Sequence, residues 1–128
     1  MTIRVLVVDD AAMVRAQLRG ALQRSGYEVL EAGDGIEALA QVDACPDIKL
    51  IVLDIHMPNM NGLECLERLR ERGSTTPVII LTAEADPEIV RRAKALGAKG
   101  WLKKPLKVDL MGAMVAKAVT VSAETPRV

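Results

Sequence analysis

The sequence predicts an α/β fold, a doubly wound parallel sheet with helices on both faces. Short runs rich in Val, Ile and Leu alternate five times with segments of helical periodicity along the 128 residues. The run from Leu50 to Leu53 is apolar at every position, which is typical of a strand buried on both faces of a parallel sheet. Strict alternation of this kind implies right-handed crossovers between neighbouring parallel strands.

The first two strand-helix units are marked by a glycine and a capping pattern. The first strand is predicted at residues 3–8, and Gly26 ends the helix that follows. That helix carries its apolar residues at helical spacing, namely Val14, Leu18, Ala21 and Leu22. The second strand is predicted at residues 28–32. Asp34 and Glu37 have the N-cap and N3 spacing of a helix start, and this second helix is expected to turn three residues inward, Ile36, Leu39 and Ala40.

The third and fourth units follow the same rule. The third strand ends at Asp54, and its helix runs from about Gly62 to Gly73, with Leu63, Leu66 and Leu69 on one stripe. The fourth strand is predicted at residues 77–81. Its helix begins with an Asp-Pro-Glu sequence at residues 86–88, which combines a cap, a proline at the first helical position and an acid near the positive end of the helix dipole.

The fifth unit completes the sheet. A brief strand is predicted at residues 100–103 and a last helix at residues 107–120, while residues 122–128 are expected to form a flexible tail. A chain of 128 residues is long enough for one domain with its own core, built from Leu, Ile, Val, Ala and Met because only 2% of the residues are aromatic. We therefore expect one domain over residues 1–121.

Composition excludes several classes of function. Seventeen basic residues balance seventeen acidic ones, so little electrostatic attraction to nucleic acid is expected. No apolar run is long enough to span a bilayer, which argues against membrane insertion. Cys45 and Cys65 lack the spacing of metal ligands, and the N-terminus has no signal-peptide pattern. The cytoplasm is the predicted location.

A small set of polar residues follows the predicted strands where each strand ends. These are Asp9, Asp10, Asp54, Thr82 and Lys104. The carboxyl ends of parallel strands meet at one edge of an open α/β sheet, where such folds bind ligands. Three carboxylates brought together repel one another, and one lysine cannot neutralise them. Because all the ligands offered are hard oxygens, Mg²⁺ is the expected cofactor.

A magnesium ion beside a strand-end carboxylate predicts phosphate chemistry. Mg²⁺ and Lys104 can neutralise the oxygens of a phosphoryl group in transfer, and Thr82 can donate a hydrogen bond to one of them. Asp54 is then the carboxylate nucleophile that carries the group.

Four motifs, in this order and separation, carry a family resemblance over nearly the whole chain. They are Val7-Val8-Asp9-Asp10, Leu53-Asp54-Ile55-His56-Met57-Pro58, Leu81-Thr82-Ala83 and Lys103-Lys104-Pro105. Together they resemble the receiver domain of two-component response regulators, and Gly97 to Trp101 resembles the chemotaxis single-domain type. The resemblance implies a (βα)₅ flavodoxin-like three-layer sandwich with strand order 2-1-3-4-5.

The resemblance also implies roles for the metal site. Asp54 would accept phosphate from a histidine kinase or phosphotransfer protein. Asp10 and Asp54 would bind Mg²⁺ directly, Asp9 would act mainly through water, and the main-chain carbonyl of His56 would be a further ligand. Lys104 would pair with the phosphoryl group.

A switch and an output face are implied in the same way. Thr82 would move toward the phosphoryl group, and Trp101 stands where the family has its switch aromatic, usually Tyr or Phe. The face made by the fourth helix, fifth strand and fifth helix would then bind a downstream protein. Arg15 and Arg19 share a helix face that either lies toward the phosphotransfer domain of the kinase or is simply solvated.

Three alternatives stay open at this point. The chain can be a stand-alone regulator or the receiver fragment of a larger regulator or hybrid kinase. An aspartyl-phosphate hydrolase also uses Mg²⁺ and an acid after a strand, but it needs a second acid where this chain has His56. A flavin carrier needs a glycine-rich phosphate loop after the first strand, where Ala11, Ala12 and Met13 stand. The expected protein is not an enzyme beyond its own phosphoryl transfer and dephosphorylation.

Overall fold

Strands and helices alternate along the part of the chain that the computed structural model describes, residues 2–83, 86–105 and 115–117. The strands are β1 Arg4–Val8, β2 Glu28–Ala32, β3 Ile48–Asp54, β4 Val78–Thr82 and β5 Gly100–Lys103. The helices are α1 Ala12–Arg24, α2 Gly35–Ala44, α3 Gly62–Glu71 and α4 Pro87–Ala95. Within the described residues, no helix has the length and apolar character needed to cross a bilayer.

The five strands form one parallel sheet in the order β2-β1-β3-β4-β5. Helix α1 and Val115 pack on one face of the sheet, while α2, α3 and α4 pack on the other. The central strands are buried on both faces, as their continuous apolar runs predicted. The predicted doubly wound fold and strand order are therefore confirmed.

The end of the chain is described only in part. Residues 115–117 are helical, within the range predicted for the last helix, and Val115 is fully buried. The rest of that helix, the domain limit at residue 121 and the tail at residues 122–128 lie outside the described residues.

The predicted inward face of α2 is wrong by one residue. Ile36 retains 55% of its exposure and Ala40 is exposed, whereas Ala38 and Leu39 are buried. The cause is the start of the helix, where Gly35 lies so close to Met60 that an added Cβ would be 2.8 Å from the Met60 side chain. This contact fixes the rotation of the helix and turns Ile36 outward despite its apolar side chain.

The start of α3 lies directly against the end of β3. The Gly62 amide donates to the carbonyl of Ile55 at 2.9 Å, and a Cβ on Gly62 would overlap the carbonyl oxygen of Asp54. Asn61 caps the helix by accepting from the Glu64 amide at 2.9 Å, and the Glu64 side chain bonds back to the Asn61 amide. Backbone contact of this kind is open only to glycine and sets the position of the strand end.

We expect Gly62→Ala to lower the free energy of unfolding by about 3 kcal/mol, because the methyl group has backbone rather than a mobile side chain in its way. Chemical denaturation measures the loss. Gly20→Ala in α1 is the matched control, since its Cβ would meet only the end of the Arg24 side chain at 3.4 Å. The control should be more stable by about 0.5–1 kcal/mol. Equal effects of the two substitutions would contradict the close approach at Gly62.

Candidate functional site

Three carboxylates converge at the carboxyl edge of the sheet. Strands β1 and β3 are neighbours, with Val8 opposite Leu53, so the residues that follow, Asp9 and Asp54, end side by side. Asp9, Asp10 and Asp54 each offer an oxygen within 4.8 Å of the others. Asp9 and Asp54 are buried and Asp10 is exposed. The sequence-predicted cluster is thus brought together by the register of the central strands.

Lys104 reaches this cluster from the end of β5. Its ammonium group lies 2.8 Å from Asp9 Oδ2 and 3.4 Å from Asp54 Oδ2. Burial alone would lower the pKa of Lys104, but the hydrogen bond to Asp9 and the charge of Asp54 outweigh it and raise that pKa. Lys104 therefore remains a cation at neutral pH and bridges the two buried acids.

The surroundings of Asp54 disfavour the charged form of its carboxylate. Burial raises its pKa, the negative charge of Asp9 raises it further, and Lys104 offsets these effects only in part. The backbone amide of His56 also faces the carboxylate, with its nitrogen 3.4 Å from Asp54 Oδ1. Among the described residues, the ammonium group of Lys104 does not balance the three carboxylates.

A divalent cation would compensate for the excess negative charge of these carboxylates. The cluster offers carboxylate oxygens and lies apart from the thiol of Cys65, which is buried under α2 with its sulfur 3.8 Å from the Gly35 carbonyl oxygen. Hard oxygen ligands that keep one face open to solvent suit Mg²⁺, which retains several waters. The exposed carboxylate of Asp10 provides that open side. Asp9, Asp10 and Asp54 are the residues that would hold the ion.

Thr82 and Trp101 lie on one face of the sheet, on neighbouring strands, with the pair Leu81–Leu102 between their positions. Thr82 is opposite Lys103, and Ile80 is opposite Trp101, so the two side chains share a face by the alternation of the strands. Thr82 is buried, and its carbonyl accepts a hydrogen bond from the Lys104 amide at 2.9 Å. Trp101 packs partly buried against the core cluster under α4, and its buried Nε1 has no hydrogen-bond partner within the described part of the chain.

The structure adds a support that the sequence did not predict. Arg15 donates to the carbonyl of Asp9 at 2.6 Å and to Glu31 at 2.9 Å, and Arg19 donates to Glu31 at 2.6 Å. Burial opposes the charge on Glu31, yet the two arginine hydrogen bonds outweigh it and lower the pKa of Glu31. Arg15 thus secures the backbone of Asp9 from behind. The sequence signal that could have indicated this support is a pair of arginines four residues apart on α1, together with an acid in the strand that follows.

A second missed support lies beyond His56. Asn59 adopts a positive φ of 68° and donates its side-chain amide to Asp34 Oδ2 at 2.8 Å. His56 itself is exposed at the rim of the site. No sequence motif links residues 34 and 59, which are brought together only by the packing of α2 beside α3.

Residues 5–116 match the response regulator receiver domain family. The chain belongs to this family. Over 105 residues the receiver domain is 40% identical to the chemotaxis protein CheY of Treponema pallidum, a match that covers 80% of this chain and 73% of that protein. It is 36% identical over 109 residues to the sensory/regulatory protein RpfC of Xanthomonas campestris, of which the match covers only 15%.

Solved structures give the same result for the receiver domain. A chain of the CheX–CheY–BeF₃–Mg²⁺ complex from Borrelia burgdorferi superposes with a TM-score of 0.85 at 31% identity, covering 90% of this chain and 87% of that one. The resemblance to CheY-like receivers of two-component signalling is therefore confirmed. The site residues named above occupy the sheet edge of this shared fold.

We expect Asp54→Asn to raise the free energy of unfolding at pH 7, measured without metal, by on the order of 1 kcal/mol. Between the ordinary Asp pKa of 3.8 and the higher pKa of folded Asp54, the folded state binds more protons than the unfolded state, so stability falls as pH rises through this window. The gain should disappear below pH 3.8, where Asp54 is protonated in both states.

Thermal unfolding of both proteins across this pH range in chelator tests the expectation. Glu71→Gln, at an exposed position of α3, controls for the loss of one negative charge. A gap between wild type and Asp54→Asn that stays constant with pH, or an Asp54→Asn protein less stable at pH 7, would contradict the electrostatic account of the site.

Proposed function

We propose that this receiver domain is a signalling switch that is phosphorylated on Asp54 by a histidine kinase or phosphotransfer protein. The observation that carries the proposal is one buried carboxylate, Asp54, set beside two further acids and the ammonium group of Lys104 at the ligand-binding edge of the sheet. Mg²⁺ is the proposed cofactor. Bound beside Asp54, the ion would neutralise charge on the phosphoryl oxygens during transfer.

The chemistry at Asp54 is a displacement at phosphorus. A carboxylate oxygen forms the new bond, the bond from phosphorus to the donor nitrogen breaks, and the departing imidazole takes up a proton. The burial and the Asp9 charge that raise the pKa of Asp54 also make its carboxylate more basic than that of a solvent-exposed aspartate. Lys104, 3.4 Å away, is placed to leave Asp54 Oδ2 and contact the incoming phosphoryl oxygens.

Phosphorylation would be transmitted through the ends of β4 and β5. Lys104 is tied to Thr82 through the backbone, and Thr82 shares its sheet face with Trp101. A change in the contacts of Lys104 would therefore affect both switch residues, Thr82 and Trp101. The surface beside them would then have two states that differ in their affinity for a partner protein. The output face is proposed to comprise α4, β5 and the last helix, with a downstream protein as its target.

The proposed activity is confined to the protein itself. The chain would catalyse its own phosphoryl transfer and the later loss of the phosphate, and His56 at the rim would govern the access of water. An aspartyl-phosphate hydrolase is disfavoured because His56 occupies the place of the second acid. The proposed location is the cytoplasm, where kinases of this class present their phosphohistidine.

The wider context of the domain is also a proposal. The match to Treponema pallidum CheY covers most of that protein and favours a chemotaxis-type regulator, whereas RpfC carries the matching region as a small part of a longer chain. A chemotaxis-type single-domain regulator is the proposal that the CheY relatives favour. A receiver within a larger regulator or hybrid kinase is the alternative.

We expect acetyl phosphate with Mg²⁺ to add one phosphoryl group to the wild-type chain and none to Asp54→Asn, as measured by intact mass spectrometry. Lys104→Met should slow labelling at least tenfold, because one of the two proposed charge-neutralising groups is lost. Asp43→Asn, an exposed acid paired with Arg72, is the matched control and should label at the wild-type rate. Labelling that survives Asp54→Asn would overturn the assignment of the phosphoacceptor.

A further inference from the structure

The loop that follows Asp54, residues 55–61, is held at both of its ends. At the near end, the Ile55 amide donates to the carbonyl of Leu81 at 3.2 Å, and the Ile55 carbonyl accepts from the Gly62 amide at 2.9 Å. These bonds tie the start of the loop to β4 and to α3. These bonds do not fix the backbone of the loop beyond His56.

At the far end, the loop is tied to the start of α2. Asn59 donates its side-chain amide to Asp34 Oδ2 at 2.8 Å, and the Gly35 amide donates to the carbonyl of Met60 at 3.3 Å. The positive φ of Asn59 turns the backbone so that its side chain faces α2. The two residues of this contact are 25 positions apart in the sequence. The contact joins the loop after Asp54 to the start of α2, a helix that contributes no residue to the cluster of Asp9, Asp10, Asp54 and Lys104.

Asp34 is well suited to hold the loop. It is buried, and its two oxygens have separate partners, since Oδ1 accepts from the Glu37 amide at 2.9 Å and Oδ2 accepts from Asn59. The hydrogen bond from Glu37 and the one from Asn59 lower the pKa of Asp34, so the acceptor stays charged. Hydrogen bonds to an ionised acceptor are stronger and more directional than neutral ones.

The residues between these two attachments border the site. His56 follows Asp54 by two positions, and its amide nitrogen lies 3.4 Å from Asp54 Oδ1. Met57 packs partly buried against the core, and Pro58 is exposed. Because only Met57 and Pro58 separate His56 from Asn59, we expect a shift at Asn59 to move the His56 backbone.

We propose that Asn59 and Asp34 form a positioning pair for the metal site, which presets the His56 main chain beside Asp54 before Mg²⁺ binds. The proposal rests on the proposed Mg²⁺-dependent function of Asp54. Residues that orient metal ligands without touching the ion typically change its affinity about tenfold or more when they are altered. The pair also connects occupancy of the site to the start of α2, on the side of the domain away from β5.

The test uses the unphosphorylated full chain and a Mg²⁺ titration followed by Trp101 fluorescence and by the backbone amide signals of His56 and Met57. Asn59→Gly should weaken Mg²⁺ binding about tenfold. Its unfolding temperature should change little, because a φ of 68° suits glycine. Asn59→Asp should weaken binding at least as much, since it sets a second carboxylate against Asp34.

The double variant Asp34→Asn with Asn59→Asp provides the rescue. It reverses donor and acceptor, conserves the charge of the pair and keeps a side-chain oxygen at position 34 for the Glu37 amide. Wild-type Mg²⁺ affinity in the double variant supports the positioning role. Recovery of the unfolding temperature without recovery of affinity would show a merely structural contact and overturn the inference.

The outcomes separate the two proposals. If wild type binds Mg²⁺ and both single variants bind it equally well, the positioning pair is wrong while the proposed function stands. If wild type itself fails to bind Mg²⁺ at millimolar concentration, the proposed function fails and the positioning pair fails with it.

Discussion

The structure depends on one electrostatic constraint, the gathering of the carboxylates of Asp9, Asp10 and Asp54 at the edge of the sheet, beside the ammonium group of Lys104. Two of these acids, Asp9 and Asp54, are buried, and Lys104 contacts both of them. Burying unbalanced charge costs free energy, so the fold must hold these groups together against their repulsion. The imbalance is also what makes the site receptive to a cation and to a phosphoryl group that arrives with it.

Hydrogen bonds and close backbone contacts from neighbouring elements offset part of this cost. The Ala11 amide donates to Asp9 Oδ1 at 2.8 Å, Arg15 holds the carbonyl of the same residue, and Gly62 lets α3 approach the strand end that bears Asp54. Two of these supports come from the start of α1 and the third from the start of α3. The reactive acid is therefore fixed by the fold as a whole, while the exposed acid Asp10 leaves one side of the site open.

The alternation of apolar strands and periodic helices was enough to predict the fold, and the convergence of parallel strand ends was enough to gather Asp9, Asp54 and Lys104. What the sequence could not predict depends on contacts between distant segments. Ile36 was expected inside because it is apolar, but the contact of Gly35 with Met60 rotates α2 and exposes it. The hydrogen bond from Asn59 to Asp34 likewise depends on a backbone turn that no local pattern specifies.

The most direct test of the central claim is a crystal structure grown with Mg²⁺ and beryllium fluoride. We expect the beryllium of a BeF₃ group bonded to a carboxylate oxygen of Asp54, Mg²⁺ about 2.1 Å from oxygens of Asp10 and Asp54, and Lys104 moved from Asp9 toward the fluorides. An unmodified Asp54, with Lys104 still 2.8 Å from Asp9 and the ion bound elsewhere, would contradict this expectation.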